Sequence, residues 1–108
     1  MRKEVNMLRE INAQEAKNEI KTGKKLLVFH ALYCGPCKMY KSTLEELADK
    51  NGVEILRVNI EENKEFATES GVRAIPYTQV YQDGSMIKDL VGYRTYDDLL
   101  SELDSFLK

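Results

Sequence analysis

Residues 26–40 read LLVFHALYCGPCKMY. The first six, Leu26 to Ala31, form a nearly continuous apolar run. A short run of this kind suits a strand buried on both faces, which is typical of parallel sheets. From Cys37 onward the spacing changes. Cys37, Tyr40, Leu44, Leu47 and Ala48 fall on one face of a helix that extends to about Asp49. Gly35 permits a tight turn between strand and helix. Pro36 suits a helix's first turn, where its missing amide hydrogen costs little. The two cysteines of the chain therefore sit at a strand-to-helix turn.

On both sides of this unit, strands alternate with helices. Val5 to Ile11 predicts an edge strand, and Asn12 an N-cap for a helix from Ala13 to Thr22. That helix would place Ala16 and Ile20 on one face, with Gly23 just past its end. Asn51-Gly52 ends the helix after the cysteines, and Val53 to Asn59 predicts a second central strand. A short helix follows over Glu62 to Ser70, closed by Gly71; the charge run Glu61 to Glu65 is read as its solvated N-terminus. Tyr77 to Gln82 and Met86 to Val91 flank Asp83-Gly84, a strong hairpin-turn pair. Thr95 with Asp98 resembles a capping box and opens a last helix with a stripe of Leu99, Leu100, Leu103, Phe106 and Leu107.

The order is β-α-β-α-β-α-β-β-α. Right-handed crossovers make the first three strands parallel and lay helices on the sheet faces. The hairpin adds two antiparallel strands. The predicted fold class is α/β, a central mixed sheet of about five strands with helices on both faces, in one domain over residues 1–108. In such sheets chemistry collects beyond the carboxyl ends of the parallel strands, where residues 33–37 fall.

Composition narrows the function. The chain has 108 residues, 43% hydrophobic and 31% charged, as expected of a globular domain. Its 16 basic and 18 acidic residues are well mixed and leave a net charge of -2. That balance offers no footprint for nucleic acid and no polybasic arm for a membrane surface. No apolar run approaches the roughly 20 residues that span a bilayer. The N-terminal stretch MRKEVNMLREIN has basic residues without an apolar segment behind them, so it does not read as a signal peptide. The expected location is the cytoplasm, where thiols are kept reduced and a structural disulfide is unusual.

Three readings of the cysteine pair compete: a redox dithiol, half of a metal site, or two buried apolar residues. A Cys-x-x-Cys at a helix N-terminus places its first sulfur where the dipole and free amides favour a thiolate, the nucleophile of disulfide exchange. Cys37 lies one turn further in, near enough to attack a mixed disulfide on Cys34. A zinc site needs four ligands, and two cysteines with one histidine do not supply them in one chain. The residues favour the redox reading, with no metal.

With CGPC followed by Lys38 on this element order, the chain resembles the thioredoxins over nearly its whole length. Ile75-Pro76, just before the fourth strand, matches the family's cis proline beside the dithiol, and Gly92 matches a glycine of its substrate groove. The resemblance implies a thiol–disulfide oxidoreductase that reduces protein disulfides without a cofactor. Cys34 would attack and Cys37 resolve. Tyr33, Gly35, Pro36, Ile75, Pro76 and Gly92 would line the groove for a client backbone. The implied partners are disulfide-containing client proteins and a thioredoxin-reductase-type or other electron donor, met by a monomer. A disulfide isomerase or oxidant, and a non-enzymatic module that holds a partner in the same groove, are the alternatives.

Several positions depart from the family pattern. Tyr33 and His30 stand where tryptophans are usual, Val28 replaces a buried acid, Tyr77 replaces threonine, and Arg57 replaces a lysine that points toward the site. Strand alternation puts His30 on the same side as Val28 and nearer the dithiol, so it is a candidate proton relay; the competing reading is a histidine that fills space. Tyr33, Tyr77 and Tyr93 are read either as an aromatic rim or as ordinary half-buried residues.

Overall fold

The structure is a computed structural model that describes residues 7–108. Val5 and Asn6 of the expected first strand, and the start of the N-terminal segment, lie outside the described residues. The elements are β1 (Leu8–Glu10), α1 (Ala13–Glu19), β2 (Lys24–His30), α2 (Gly35–Asn51), β3 (Glu54–Asn59), α3 (Lys64–Glu69), β4 (Tyr77–Gln82), β5 (Ser85–Val91), α4 (Tyr96–Glu102) and α5 (Asp104–Leu107). They build a five-stranded sheet in the order β1-β3-β2-β4-β5. β1 and β2 flank β3 in parallel, whereas β4 runs antiparallel to β2 and β5 antiparallel to β4. Among the described residues, no helix is long and apolar enough to cross a membrane.

Alternation along the strands divides the core into two layers. Leu26, Val28 and Ile55 pack with Tyr40, Leu44 and Leu47 of α2 and with Leu99 and Leu103. Leu27, Phe29, Leu56 and Val58 face the other way, toward Ala16 of α1 and Phe66 of α3. β2 and β3 are buried on both faces, which is why their sequences read as continuous apolar runs.

Element ends differ from the sequence expectation where side chains override the apolar pattern. β2 begins at Lys24 rather than Leu26 and stops at His30 rather than Ala31. Lys25 is buried there because its ammonium caps the end of α1, donating to the carbonyls of Glu19 (2.7 Å) and Thr22 (3.0 Å). α1 ends at Glu19, not Thr22, and starts with a full capping box in which Asn12 and Glu15 satisfy each other's amides. α3 starts at Lys64; Glu61 and Glu62 precede it in a turn where the Glu61 amide donates to Asn59 Oδ1 (2.9 Å). The last helix is two pieces, because Leu103 leaves helical geometry at φ -106° and ψ 15°. Asp83 and Gly84, at φ 48° and 91°, form the hairpin turn between β4 and β5.

Candidate active site

The dithiol opens α2. Cys34 is the extended N-cap, and its sulfur accepts a hydrogen bond from the Cys37 amide at 3.2 Å. That bond occupies one of the amides that a helix start leaves without a partner. Pro36, in the same turn, has no amide to satisfy. Cys34 and Cys37 are joined as a disulfide, with Cα atoms 5.2 Å apart. Ala31, Ile60 and Ile75 pack around the pair, leaving Cys34 8% and Cys37 2% exposed. Of the two sulfur residues, Cys34 is the more accessible.

The surrounding segments come from three connections. The Ile75–Pro76 peptide bond is cis. The Pro76 carbonyl accepts from the Gly92 amide at 2.8 Å, which ties the two loops together. Gly92 sits at φ 94°, a backbone region that side-chain-bearing residues resist. Tyr33 and Leu32 are exposed beside the dithiol, and Tyr93 lies next to Gly92, its ring packed edge-to-face with that of Tyr40. The structure thus gathers Tyr33, Gly35 and Pro36 on the cysteine turn, Ile75 against the sulfurs, and Pro76 against Gly92. Tyr77 is not part of an aromatic rim. It is buried on the α1/α3 side, stacked on Phe29, and its hydroxyl donates to Asp89 at 2.7 Å.

Strand register places Glu10, Arg57, Val28, Thr78 and Leu90 in one row across the sheet. Leu90 and Val28 belong to the core on the α2 side, which fixes the face. Val28 is fully buried between two polar arrangements. On one side the hydroxyls of Thr78 and Tyr40 meet at 2.9 Å. On the other, the Arg57 guanidinium donates to the Glu10 carboxylate. His30 Nε2 lies 3.2 Å from the other oxygen of that carboxylate, off the line of a hydrogen bond, and Lys41 Nζ is 4.0 Å from Glu10 Oε2. His30 is 4% exposed. Burial, followed by the charge of Arg57, holds its pKa below the ordinary histidine value, while Glu10 pulls the other way. These groups line a cleft of about 750 Å³ that Leu32 and Lys38 also border.

Glu10 and the Tyr40–Thr78 pair escape sequence reading. Glu10 ends a strand of weak pattern, and its partner lies 47 positions away. The one available signal is that Leu8 and Glu10 share a face, which sets Glu10 on the side of Leu8's core layer.

A redox-active cysteine pair at the amino end of a helix, at the carboxyl edge of a parallel strand in a five-stranded mixed sheet, defines a thiol–disulfide oxidoreductase of thioredoxin-like fold. Comparison with known proteins narrows the class. The sequence profile of the thioredoxin family matches residues 7–105, and the chain belongs to that family. It is 39% identical over 92 residues to the thioredoxin of Staphylococcus epidermidis, spanning 83% of this chain and 88% of that protein. It is 30% identical over 103 residues to the thioredoxin of Listeria monocytogenes, spanning 94% and 100%. A mutant thioredoxin from Halobacterium salinarum superposes with a TM-score of 0.85 at 25% identity, covering 94% of this chain and 91% of that one.

Proposed function

We propose that this protein reduces disulfides of client proteins in the cytoplasm, acting as a monomer of one domain over residues 1–108, with Cys34 as nucleophile and Cys37 as resolving thiol. The observation that carries the reading is the position of Cys34 as N-cap of α2, with the Cys37 amide aimed at its sulfur. In the reduced protein that amide and the helix dipole stabilise a Cys34 thiolate. The thiolate attacks one sulfur of a client disulfide, forming a Cys34–client bond and releasing the client's other sulfur as a thiolate. Cys37 then loses its proton and attacks Cys34. The Cys34–Cys37 bond forms, the Cys34–client bond breaks, and the second client sulfur leaves. Two electrons pass from the dithiol to the client, so the sulfurs need neither metal nor cofactor. A thioredoxin-reductase-type or other donor restores the dithiol.

Tyr33, Gly35, Pro36, Ile75, Pro76 and Gly92 form the client groove in this reading. The Ile75 backbone offers an extended client segment the main-chain pairing of β-augmentation. His30 takes the Cys37 proton: it ends β2 just before the cysteine turn, on the side of Val28, and burial keeps its imidazole neutral. Insulin reduction followed by turbidity with dithiothreitol tests the activity; a rate no faster than that of Cys34→Ser refutes it. Titration against glutathione tests the direction, and a dithiol less reducing than glutathione identifies an isomerase or oxidant instead. Cys37→Ser should trap clients on Cys34 and so name them.

A further inference from the structure

We propose that Glu10 is the positioning residue of the resolving step: anchored by Arg57, its carboxylate orients the His30 imidazole and stabilises its protonated form while Cys37 is deprotonated. The proposal rests on the reading of His30 as proton acceptor. Val28, in the row between Arg57 and Thr78, has no titratable group, so no acid is available at that point. The same row supplies a carboxylate from β1 instead. One oxygen of Glu10 takes the Arg57 guanidinium and the other faces His30 Nε2.

Chemistry assigns the roles. A carboxylate repels a ring lone pair and attracts an N–H even where the two are not aligned for a hydrogen bond, so the nitrogen beside it carries the proton in neutral imidazole. Nε2 therefore keeps its hydrogen and Nδ1 keeps a free lone pair. When Nδ1 accepts the Cys37 proton, directly or through one water, the ring becomes a cation beside Glu10. The Cys37 thiolate then closes the disulfide on Cys34, and the departing client thiolate is protonated by His30 or by water. Glu10 changes neither its bonds nor its protonation; it lowers the energy of the imidazolium. The contact at 3.2 Å lies off the line of a hydrogen bond, and a positive charge on the ring would strengthen it.

Other charges reach the same place. Arg57 from β3 and Lys41 from α2 oppose a cation on His30, and Lys38 also borders the cleft. Glu15 of α1 and Glu62 of the turn before α3 line it as well. None of these is placed against Nε2 as Glu10 is. The bland alternative is that Glu10 only neutralises Arg57.

His30 is the one histidine of the chain, so its ring resonance can be followed by proton NMR without ambiguity. Glu10→Gln keeps an amide oxygen for Arg57 and removes the charge. The titration midpoint of His30 should fall in Glu10→Gln and return toward the wild-type value in Glu10→Asp. Stopped-flow mixing of reduced protein with one equivalent of a chromogenic aromatic disulfide reports attack by Cys34 in its first phase and resolution by Cys37 in its second. The second phase should slow about three- to tenfold in Glu10→Gln, with its pH profile moved to lower pH and the first phase unchanged. In a His30→Phe background the same change should do nothing further. An unmoved midpoint, or a moved midpoint with a normal second phase, overturns the role of Glu10 while leaving His30 in place. Equal slowing by Glu10→Gln in both backgrounds overturns it too, because the carboxylate then acts through Arg57. A His30→Phe variant that resolves at the wild-type rate removes the reading beneath the proposal.

Discussion

At the scale of single residues, burial sets the charge of His30. Its folded-state pKa is lowered, first by desolvation and then by Arg57. The unfolded chain therefore binds this proton more tightly than the folded one. Stability from this group is fully present above the ordinary histidine value of about 6.5 and is lost as pH falls through that value toward the lower folded-state pKa. Urea unfolding between pH 7.5 and 5.5 should show the wild type losing more stability than His30→Phe; parallel losses would mean that the imidazole protonates freely in the fold. Tyr40 presents a second case. Its hydroxyl and that of Thr78 satisfy each other in the core. Tyr40→Phe leaves the Thr78 hydroxyl without this partner and should cost about 1–2 kcal/mol in chemical denaturation, whereas adding Thr78→Val should recover part of the loss. A double variant as unstable as the sum of the two singles would show that the hydroxyls do not depend on each other. At this scale the sequence reveals which face His30 occupies, because strand alternation is local. It hides Glu10, because the contact depends on how β1 lines up with β3.

Element by element, existence was legible and ends were not. The apolar runs of β2 and β3, the stripe of α2 and the Asp83-Gly84 turn are each written in short windows of sequence. Ends depend on caps that come from elsewhere in the chain. Lys25 shows this: a charged residue beside an apolar run reads as a boundary, yet it is buried within β2 because its stem lies in the sheet and its ammonium caps α1. Lys25→Met keeps the stem and removes three donors. It should destabilise the protein by about 2 kcal/mol in urea unfolding, by stripping the charge-assisted bonds to the Glu19 and Thr22 carbonyls. An unchanged midpoint would mean that water caps α1 equally well. The break at Leu103 was hidden for the opposite reason. Leu99, Leu103 and Phe106 keep helical spacing and all reach the core, so apolar pattern alone does not register the interruption.

For the molecule as a whole, the alternation of strands and helices was enough to predict parallel β1, β2 and β3 with an antiparallel hairpin beyond them, because crossover handedness leaves few other arrangements. The sheet then separates two core layers that share almost no side chains. Leu44→Val on one layer and Phe66→Leu on the other should each cost about 1 kcal/mol, and their costs should add within about 0.5 kcal/mol. A larger discrepancy would show strain passing through the sheet. The row from Glu10 through Arg57 to Val28 also bears on how a sequence of this fold can drift. Arg57 is 6% exposed, and a buried guanidinium stripped of its carboxylate costs about 3–5 kcal/mol. The carboxylate can stand on β1, as Glu10 does, or on β2 at position 28, since both lie beside Arg57 in the row. Single substitutions connect these two arrangements, but their order matters. Replacing Glu10 by an apolar residue first strands the arginine. Acquiring the second acid first adds only a carboxyl group that can stay protonated until the other is gone. A tolerated exchange between the two arrangements, in either direction, therefore gains the second acid before it loses the first, and passes through a sequence with two acids flanking a single cation.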